Sequence, residues 1–259
     1  MTGVGLGNPG SIDTTTSSTV ALDVQSVGVF VGSRWIVRDV TFDARGGELV
    51  AIIGPNGAGK TTLLEAIVGL RHAKLGSLRV NGQALRHFTD FARSFSFLPD
   101  AATLPPEATV RTLVDHASSL SCGDHVARAL RQGLALDPLL GKPVAVLSRG
   151  EHQRVALYCT LVLERPIAVL DEPFSAFDPL QLRSIFDMVR ELAAPTTAIV
   201  ASIHQLADAE QIANRILILS GGRPIAFGDL ASLRQMARDG GASLEGVFVS
   251  LLADADRAS

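Results

Sequence analysis

The sequence contains few cysteines and no excess of positive charge. Only two cysteines, Cys122 and Cys159, occur among 259 residues, which excludes a disulfide scaffold and is typical of a reducing compartment. Acidic residues outnumber basic ones by 26 to 23, for a net charge of −3. Because no basic excess is available to neutralise a phosphate backbone, we expect no nucleic-acid partner.

Long hydrophobic runs are also lacking. The longest uncharged stretch with an apolar pattern, residues 192–207, includes Pro195 and His204. It falls short of the roughly 20 apolar residues that a membrane-spanning helix needs. No Lys or Arg precedes Arg34, so the charged start of a secretory signal is not found. We therefore expect a cytoplasmic protein that reaches the inner face of a membrane only through another subunit.

The pattern along the chain predicts an α/β fold with a parallel sheet, because short apolar strands alternate with helical segments. Residues 1–19 are rich in Gly, Ser and Thr, which is typical of a flexible tail. We expect the α/β core to comprise residues 20–99 and 152–227. Residues 100–151 show helical rather than alternating patterns and predict a helical insertion, and residues 228–259 predict C-terminal helices.

One glycine-rich segment matches the P-loop pattern G-x-x-x-x-G-K-[ST] in full. It reads Gly54-Pro55-Asn56-Gly57-Ala58-Gly59-Lys60-Thr61 and continues with Thr62. The segment follows an apolar strand and opens a helix, where backbone N–H groups and the helix N-terminus attract phosphate. We expect Lys60 to reach the β- and γ-phosphates and the Thr61 hydroxyl to ligate Mg²⁺.

A P-loop requires a carboxylate on a second strand, and residues 167–172 supply it. Four apolar residues precede Asp171 and Glu172, at the strand end where open α/β sheets place their ligands. Asp171 is the expected magnesium partner, and Glu172 is placed to polarise a water against the γ-phosphate. The guanine-reading pattern N-K-x-D does not occur, which excludes an ordinary GTPase.

Further motifs carry a resemblance to a known family. Leu147-Ser148-Arg149-Gly150-Glu151, followed by Gln153-Arg154, resembles the signature LSGGQ, and Ser175-Ala176-Phe177-Asp178 resembles the D-loop. His204, after a predicted strand at 196–202, resembles the switch histidine. Over about residues 20–230 the chain resembles the nucleotide-binding subunit of an ABC transporter.

This resemblance implies an α/β P-loop NTPase domain with a helical insertion that binds ATP and Mg²⁺ and hydrolyses ATP. It implies that Glu172 and His204 are catalytic, and that Phe30 stacks on adenine, with Trp35 a poorer candidate by position. It also implies a head-to-tail dimer in which Ser148 and Gly150 of one copy face the γ-phosphate held by the other. A transmembrane permease is the further implied partner.

Three residues depart from the family pattern. Arg149 replaces a glycine and Glu151 replaces glutamine in the signature, and neither change removes the donors of Ser148 and Gly150. Asp100 stands where the Q-loop glutamine normally lies, which makes it a third candidate metal residue beside Thr61 and Asp171.

The resemblance also bears on the direction of transport. The segment Ser243–Leu251 and the Ser148-Arg149-Gly150 variant resemble ATPase subunits of multidrug, antibiotic and haem exporters, so we expect export. The alternative is an ABC ATPase that acts on a ribosome or a nucleic-acid complex. Such proteins typically carry two P-loops or a coiled-coil insertion, whereas this chain has one P-loop.

Overall fold

The computed structural model describes residues 20–121, 123–192, 197–237 and 243–258. The predicted tail, residues 1–19, and Cys122 lie outside these ranges. Within the described residues, no helix is both long enough and apolar enough to cross a bilayer.

A six-stranded sheet forms the centre of the fold, in the strand order β10-β9-β3-β8-β7-β6. Its strands are β3 (Leu49–Ile53), β6 (Phe95–Leu98), β7 (Ile167–Asp171), β8 (Ala198–Ser202), β9 (Arg215–Ser220) and β10 (Arg223–Gly228). Strands β3 and β6 to β9 run parallel, and β10 pairs antiparallel with β9. Every residue of β3, β7 and β8 is buried, because both faces of the sheet are covered.

A second sheet has four antiparallel strands in the order β2-β1-β4-β5. They are β1 (Val20–Val31), β2 (Arg34–Arg45), β4 (Leu75–Val80) and β5 (Gln83–Ala84). The strand–helix alternation of the sequence predicted a parallel sheet and did not predict this separate antiparallel one. A two-residue turn joins β1 to β2, and such a short connection permits only an antiparallel pair.

Nine helices complete the described part of the chain. They are α1 (Lys60–Ile67), α2 (Phe88–Ser94), α3 (Val110–Ser119), α4 (Asp124–Gly133), α5 (Arg149–Leu161), α6 (Pro179–Leu192), α7 (Leu206–Ile212), α8 (Leu230–Met236) and α9 (Leu244–Ala258). Helices α3 and α4 fall within residues 100–151, and α8 and α9 fall within residues 228–259.

Alternating residues of the central sheet enter two different cores. Leu49, Ala51 and Ile53 of β3 pack into a core formed with the helices of the insertion and the C-terminal helices. Val50 and Ile52 point to the opposite face, into a core shared with α1 and the four-stranded sheet. The P-loop therefore leaves a strand that is fixed from both sides.

An ion-pair cluster joins the two sheets. Arg215 of β9 donates hydrogen bonds from its guanidinium to both carboxylate oxygens of Asp43 on β2, at 2.9 and 3.0 Å. It also bonds both oxygens of Glu48, at 2.6 and 2.9 Å. The Arg215 hydrogen bond is the main cause that lowers the pKa of Asp43. These bidentate ion pairs hold the four-stranded sheet against the start of β3, the strand that leads to the P-loop.

Candidate functional site

The P-loop, the acidic pair Asp171 and Glu172, and His204 lie at one edge of the central sheet. The P-loop follows β3, His204 lies two residues beyond β8, and Asp171 and Glu172 lie at the end of β7. Strands β3, β8 and β7 are parallel neighbours, so their carboxyl ends open on the same side. This is the position at which open α/β sheets bind ligands.

Glycine is required at two points of the P-loop. Gly59, which caps the N-terminus of α1, has a φ of 97°, and a Cβ there would lie 3.0 Å from the carbonyl oxygen of Ile36. A Cβ on Gly54 would lie 2.3 Å from the carbonyl oxygen of Leu219. The loop is thus pressed against β2 and β9, and the first N–H groups of α1 are left without intrahelical partners and point out of the helix end.

A cleft of about 700 Å³ opens over this loop. Its lining includes Glu172 and seven consecutive residues of the P-loop and α1, namely Asn56, Gly57, Ala58, Gly59, Lys60, Thr61 and Thr62. Gly54 and Pro55 lie at the start of the loop, and their carbonyl oxygens accept hydrogen bonds from the Lys60 ammonium at 2.8 and 3.4 Å.

Lys60 is 8% exposed, so its charge is held largely away from water. Burial lowers the pKa of Lys60, and the nearby carboxylates of Glu172 and Asp171 oppose that effect. An ammonium group has three donors, and here it is held by loop carbonyls and by the field of two carboxylates. The group is thereby positioned at the mouth of α1, where an incoming phosphate would lie.

The Asp171 carboxylate is buried and only half satisfied. The side chain is 1% exposed, its Oδ1 accepts a hydrogen bond from the Ser202 hydroxyl at 2.5 Å, and its Oδ2 is buried without a partner among the described residues. A buried carboxylate oxygen without a partner is costly unless a cation or an ordered water meets it.

This oxygen makes the site suitable for magnesium. Mg²⁺ takes oxygen ligands, usually one or two from protein together with water and substrate phosphate. Asp171 offers such an oxygen, and the Thr61 hydroxyl lines the cleft at the start of α1. These two residues fit the ion.

Glu172 and His204 share a second, smaller cavity. Glu172 lines both the large cleft and an adjoining cavity of about 160 Å³, which His204, Gln205 and Asp208 also line. The His204 side chain is exposed. Burial raises the pKa of the Asp208 carboxyl. Glu172 therefore stands between the phosphate side of the cleft and the histidine.

The aromatic residue in the cleft lining is Trp35, whereas Phe30, the residue predicted to stack on adenine, lies outside that lining. Phe30 and Trp35 are cross-strand partners on β1 and β2, with ring centroids 5.1 Å apart in an edge-to-face arrangement. Trp35 lines the cleft and Phe30 does not. The Lys74 ammonium lies 4.5 Å from the centroid of the Phe30 ring, so Phe30 packs between Lys74 and Trp35, away from the cleft.

The signature residues lie at the N-terminus of α5, outside the cleft lining. Ser148 is the exposed N-cap: its Oγ accepts a hydrogen bond from the Glu151 backbone N–H at 3.3 Å, and its own N–H donates to the Glu151 carboxylate at 2.9 Å. Lys142 also donates to Glu151, at 2.7 Å. Gly150 packs close to Ala176, and a Cβ there would lie 3.0 Å from the Ala176 carbonyl oxygen.

Asp100 is not brought to the cleft. It follows the edge strand β6 and is exposed, and it is not among the residues of the cleft lining. A role for Asp100 in metal binding therefore remains a prediction for another state of the protein.

The cleft lining also includes residues that the sequence did not single out, namely Val31, Arg34, Ile36, Arg71, Gly221 and Gly222. Gly221-Gly222 forms the turn between β9 and β10, and a Cβ on Gly222 would lie 2.2 Å from the Ile36 carbonyl oxygen. The glycine pair between two apolar segments indicates a turn, but nothing in it indicates a ligand site.

Comparisons with known proteins agree with this geometry. The family model for the ABC transporter matches residues 37–175. The chain is 34% identical over 208 residues to the hemin import ATP-binding protein HmuV of Pseudomonas fluorescens (strain Pf0-1), covering 76% of this chain and 82% of that protein. It is 31% identical over 217 residues to the Nod factor export ATP-binding protein I of Burkholderia pseudomallei (strain 1710b), covering 82% and 71%.

A solved structure described as the ATP binding subunit of an ABC transporter superposes with a TM-score of 0.81 at 31% identity, over 90% of this chain and 99% of that one. These relatives confirm the predicted fold class and the predicted enzyme class, an ATPase. By the family model, the relatives and the shared fold, the chain belongs to the ABC transporter family, as one of its ATP-binding subunits.

Proposed function

We propose that this chain binds ATP with Mg²⁺ in the cleft over the P-loop and hydrolyses it to power a membrane transporter. The observation that supports this most strongly is the buried Asp171 carboxylate, whose Oδ2 has no partner among the described residues, at the sheet edge where the P-loop also ends. A carboxylate oxygen buried beside a phosphate-binding loop is suited to a magnesium ion that is bound together with phosphate.

The P-loop and Lys60 bind and orient the phosphates. The free N–H groups at the start of α1 surround the β- and γ-phosphates, and the Lys60 ammonium exchanges its bonds to the loop carbonyls for bonds to phosphate oxygens. Thr61 and Asp171 would hold Mg²⁺, and the ion would supply positive charge to neutralise the charge that develops on the phosphate oxygens.

Glu172 serves as the residue that orients and polarises the attacking water. Its side chain lines the cleft on the side of the smaller cavity, so a water between the two cavities lies within its reach. His204 lines that smaller cavity and is placed to contact the γ-phosphate side of the bound nucleotide.

A second copy of the chain completes each site. Ser148 is exposed and lies outside the cleft of its own chain. Its Oγ already accepts a hydrogen bond from Glu151, so its hydroxyl proton is available to an anion outside the chain. With Gly150, it would face the γ-phosphate held by the other copy, which gives a head-to-tail dimer with ATP at both interfaces.

A transmembrane permease is the second proposed partner. The relatives named above are ATP-binding proteins of import and export systems, which favours transport over action on a ribosome or on nucleic acid. With no membrane-spanning helix among the described residues, the chain would lie on the cytoplasmic face, bound to the permease.

Export is the proposed direction, on the resemblance of Ser243–Leu251 and of Ser148-Arg149-Gly150 to exporter subunits. In proteoliposomes that contain the permease, with ATP on the same side as this chain, substrate added to that side should stimulate hydrolysis. Stimulation only by substrate on the opposite side would indicate import.

The decisive test of the hydrolytic site is Glu172→Gln. The amide keeps the size of the side chain but cannot polarise water, so ATP binding is retained, turnover is lost and the ATP-bound dimer accumulates. Calorimetry with ATP, a phosphate-release assay and light scattering measure the three properties. Lys60→Ala is the matched control, since it should abolish nucleotide binding itself. Wild-type turnover by Glu172→Gln would refute the assignment of Glu172.

A further inference from the structure

Ser202 lies where the two acidic residues of the site meet. It is the last residue of β8, is 0% exposed, and is the register partner of Asp171 across the parallel β7–β8 pair. Its Oγ donates to Asp171 Oδ1 at 2.5 Å and accepts the backbone N–H of Glu172 at 2.8 Å. One buried hydroxyl thus contacts both residues.

The two hydrogen bonds fix each other's direction. A serine hydroxyl has a single proton and two acceptor lone pairs. Because the Glu172 N–H occupies the acceptor side of Ser202, the proton of the hydroxyl is directed at Asp171. Because Ser202 is 0% exposed, water competes little for its hydroxyl, which favours both bonds.

For Asp171, the bond determines which oxygen is left for a ligand. Oδ1 is held by Ser202, whereas Oδ2 is buried without a partner among the described residues. A carboxylate held at one oxygen cannot rotate freely about its terminal bond. The free oxygen is therefore oriented before any cation arrives, which is how outer hydrogen bonds tune metal sites.

For Glu172, the bond holds an unusual backbone conformation. Glu172 has a φ of 48°, in the left-handed region that residues with a side chain adopt at a cost. Its N–H bond to Ser202 fixes the start of this turn, and the turn directs the side chain between the two cavities that it lines.

We propose that Ser202 is a positioning residue that orients Asp171 for Mg²⁺ and Glu172 for water with one hydroxyl group. This inference rests on the proposed roles of Asp171 and Glu172. It assigns no contact between Ser202 and the nucleotide, so its effects should appear in the magnesium-dependent and chemical steps and not in phosphate binding by the P-loop.

The test compares Ser202→Ala with Ser96→Ala, a buried serine of β6 in the same sheet. Calorimetry measures the affinity for a non-hydrolysable ATP analogue in EDTA and across a Mg²⁺ titration, and steady-state kinetics gives kcat and KM. For Ser202→Ala we expect the half-saturating Mg²⁺ concentration to rise about 10-fold and kcat to fall about 10-fold or more. The affinity in EDTA should stay within about twofold of wild type, and Ser96→Ala should leave all of these values unchanged.

Two further variants separate positioning from stability. Ser202→Thr keeps the hydroxyl and should restore most of the magnesium affinity. Ser202→Cys, whose thiol is a weak donor and acceptor, replaces Ser202→Ala in the comparison if the alanine variant does not fold. Equal losses of affinity with and without Mg²⁺, or a Ser96→Ala profile like that of Ser202→Ala, would show a merely structural serine and overturn the inference.

The outcome also separates this inference from the proposed function. If the wild-type protein binds the analogue more tightly with Mg²⁺ and Ser202→Ala behaves in the same way as wild type, only the role of Ser202 is overturned. A wild-type protein that neither binds the analogue more tightly with Mg²⁺ nor hydrolyses ATP would overturn both.

Discussion

Trp35 provides a direct test of where the adenine base lies. It is the single tryptophan of the chain and lines the cleft beside the P-loop, whereas Phe30 contacts Trp35 from outside the cleft. We therefore expect Trp35→Ala to weaken ATP binding strongly and Phe30→Ala to weaken it only slightly.

The size of each effect follows from the contact that is lost. Stacking of a base on an aromatic side chain contributes about 1–3 kcal/mol, so Trp35→Ala should raise the Kd for ATP by about 5- to 150-fold. Phe30 acts only by supporting the Trp35 ring, through an edge-to-face contact of about 0.5–1.5 kcal/mol. The Trp35 ring also packs over Gly28, where a Cβ would lie 3.0 Å from the indole, so Phe30→Ala should change the Kd by a few-fold at most.

The assay uses the tryptophan itself as the probe. Addition of ATP to the wild-type protein should change Trp35 fluorescence, whereas inorganic triphosphate, which lacks a base, should not. Calorimetry on Trp35→Ala should show weakened ATP binding with unchanged triphosphate binding. A larger loss of ATP affinity in Phe30→Ala than in Trp35→Ala, or equal losses for ATP and triphosphate, would refute the placement of the base.

Three other predictions concern stability, the signature and the metal. Arg215→Met removes the arginine that pairs with the partly buried carboxylates of Asp43 and Glu48 and should lower the free energy of unfolding by about 2 kcal/mol in urea titrations. Because the pKa of Asp43 is lowered, the difference in unfolding free energy between wild type and variant should shrink below about pH 4. Glu151→Ala removes the reciprocal cap of the signature helix and should weaken the ATP-dependent dimer in light scattering, whereas Glu151→Gln can still accept that bond and should not. Hydrogen bonds from the Lys142 side chain and, second, from the Ser148 backbone hold the pKa of Glu151 at about 2. The stabilisation of the signature helix by ionised Glu151 should therefore be complete above about pH 4.5 and be lost as the pH falls to about 2. If a closed state brings the exposed Asp100 to the ion, Asp100→Asn should shift the Mg²⁺ concentration that gives half-maximal ATPase activity and should affect metal-free ATP binding less. Superimposable Mg²⁺ titration curves for wild type and Asp100→Asn would exclude such a role for Asp100.

The parts of the fold that were predictable are those in which one residue pattern has one physical solution. The run that became β3 is apolar throughout, and those that became β7 and β8 are apolar up to their last residues, Asp171 and Ser202, a pattern typical of strands that are covered on both faces. The P-loop was equally clear, because its glycines, lysine and threonine serve one function at fixed spacing. Helix α5 began where Ser148 and Glu151 form a capping box.

Other features depend on tertiary contacts that no local pattern encodes. Helix α2 has seven residues, too few for a clear period, and Phe91 and Phe95 pack with ring centroids 6.1 Å apart where it meets β6. Phe30 and Trp35 are both aromatic and lie opposite each other in one hairpin, so the sequence does not indicate which ring faces the cleft. In the structure Phe30 packs against Lys74 and Trp35 lines the cleft. The role inferred for Ser202 requires the register of β7 with β8, which sequence spacing does not determine.

The structure also explains why the signature departs from its family pattern at some positions and keeps others. Glycine is favoured at position 150, because a Cβ there would lie 3.0 Å from the Ala176 carbonyl oxygen and that neighbour would have to shift. One position earlier, Arg149 is exposed, and its guanidinium extends along the surface to the Ser175 hydroxyl at 3.4 Å, so a long side chain is accommodated where the pattern has glycine.

The glutamate at the fifth position is tolerated for a different reason. Glutamate and glutamine both accept the N-cap N–H in a capping box, and Glu151 gains Lys142 as an additional partner. Two residues further along α5, Gln153 donates a hydrogen bond from its side chain to the carbonyl oxygen of Pro173 at 3.1 Å, directly beyond Glu172. The first turns of α5 are therefore fixed both to the exposed signature serine and to the segment that follows the proposed water-polarising glutamate. We expect a shift of that segment to move the surface that the proposed dimer would present to the second copy.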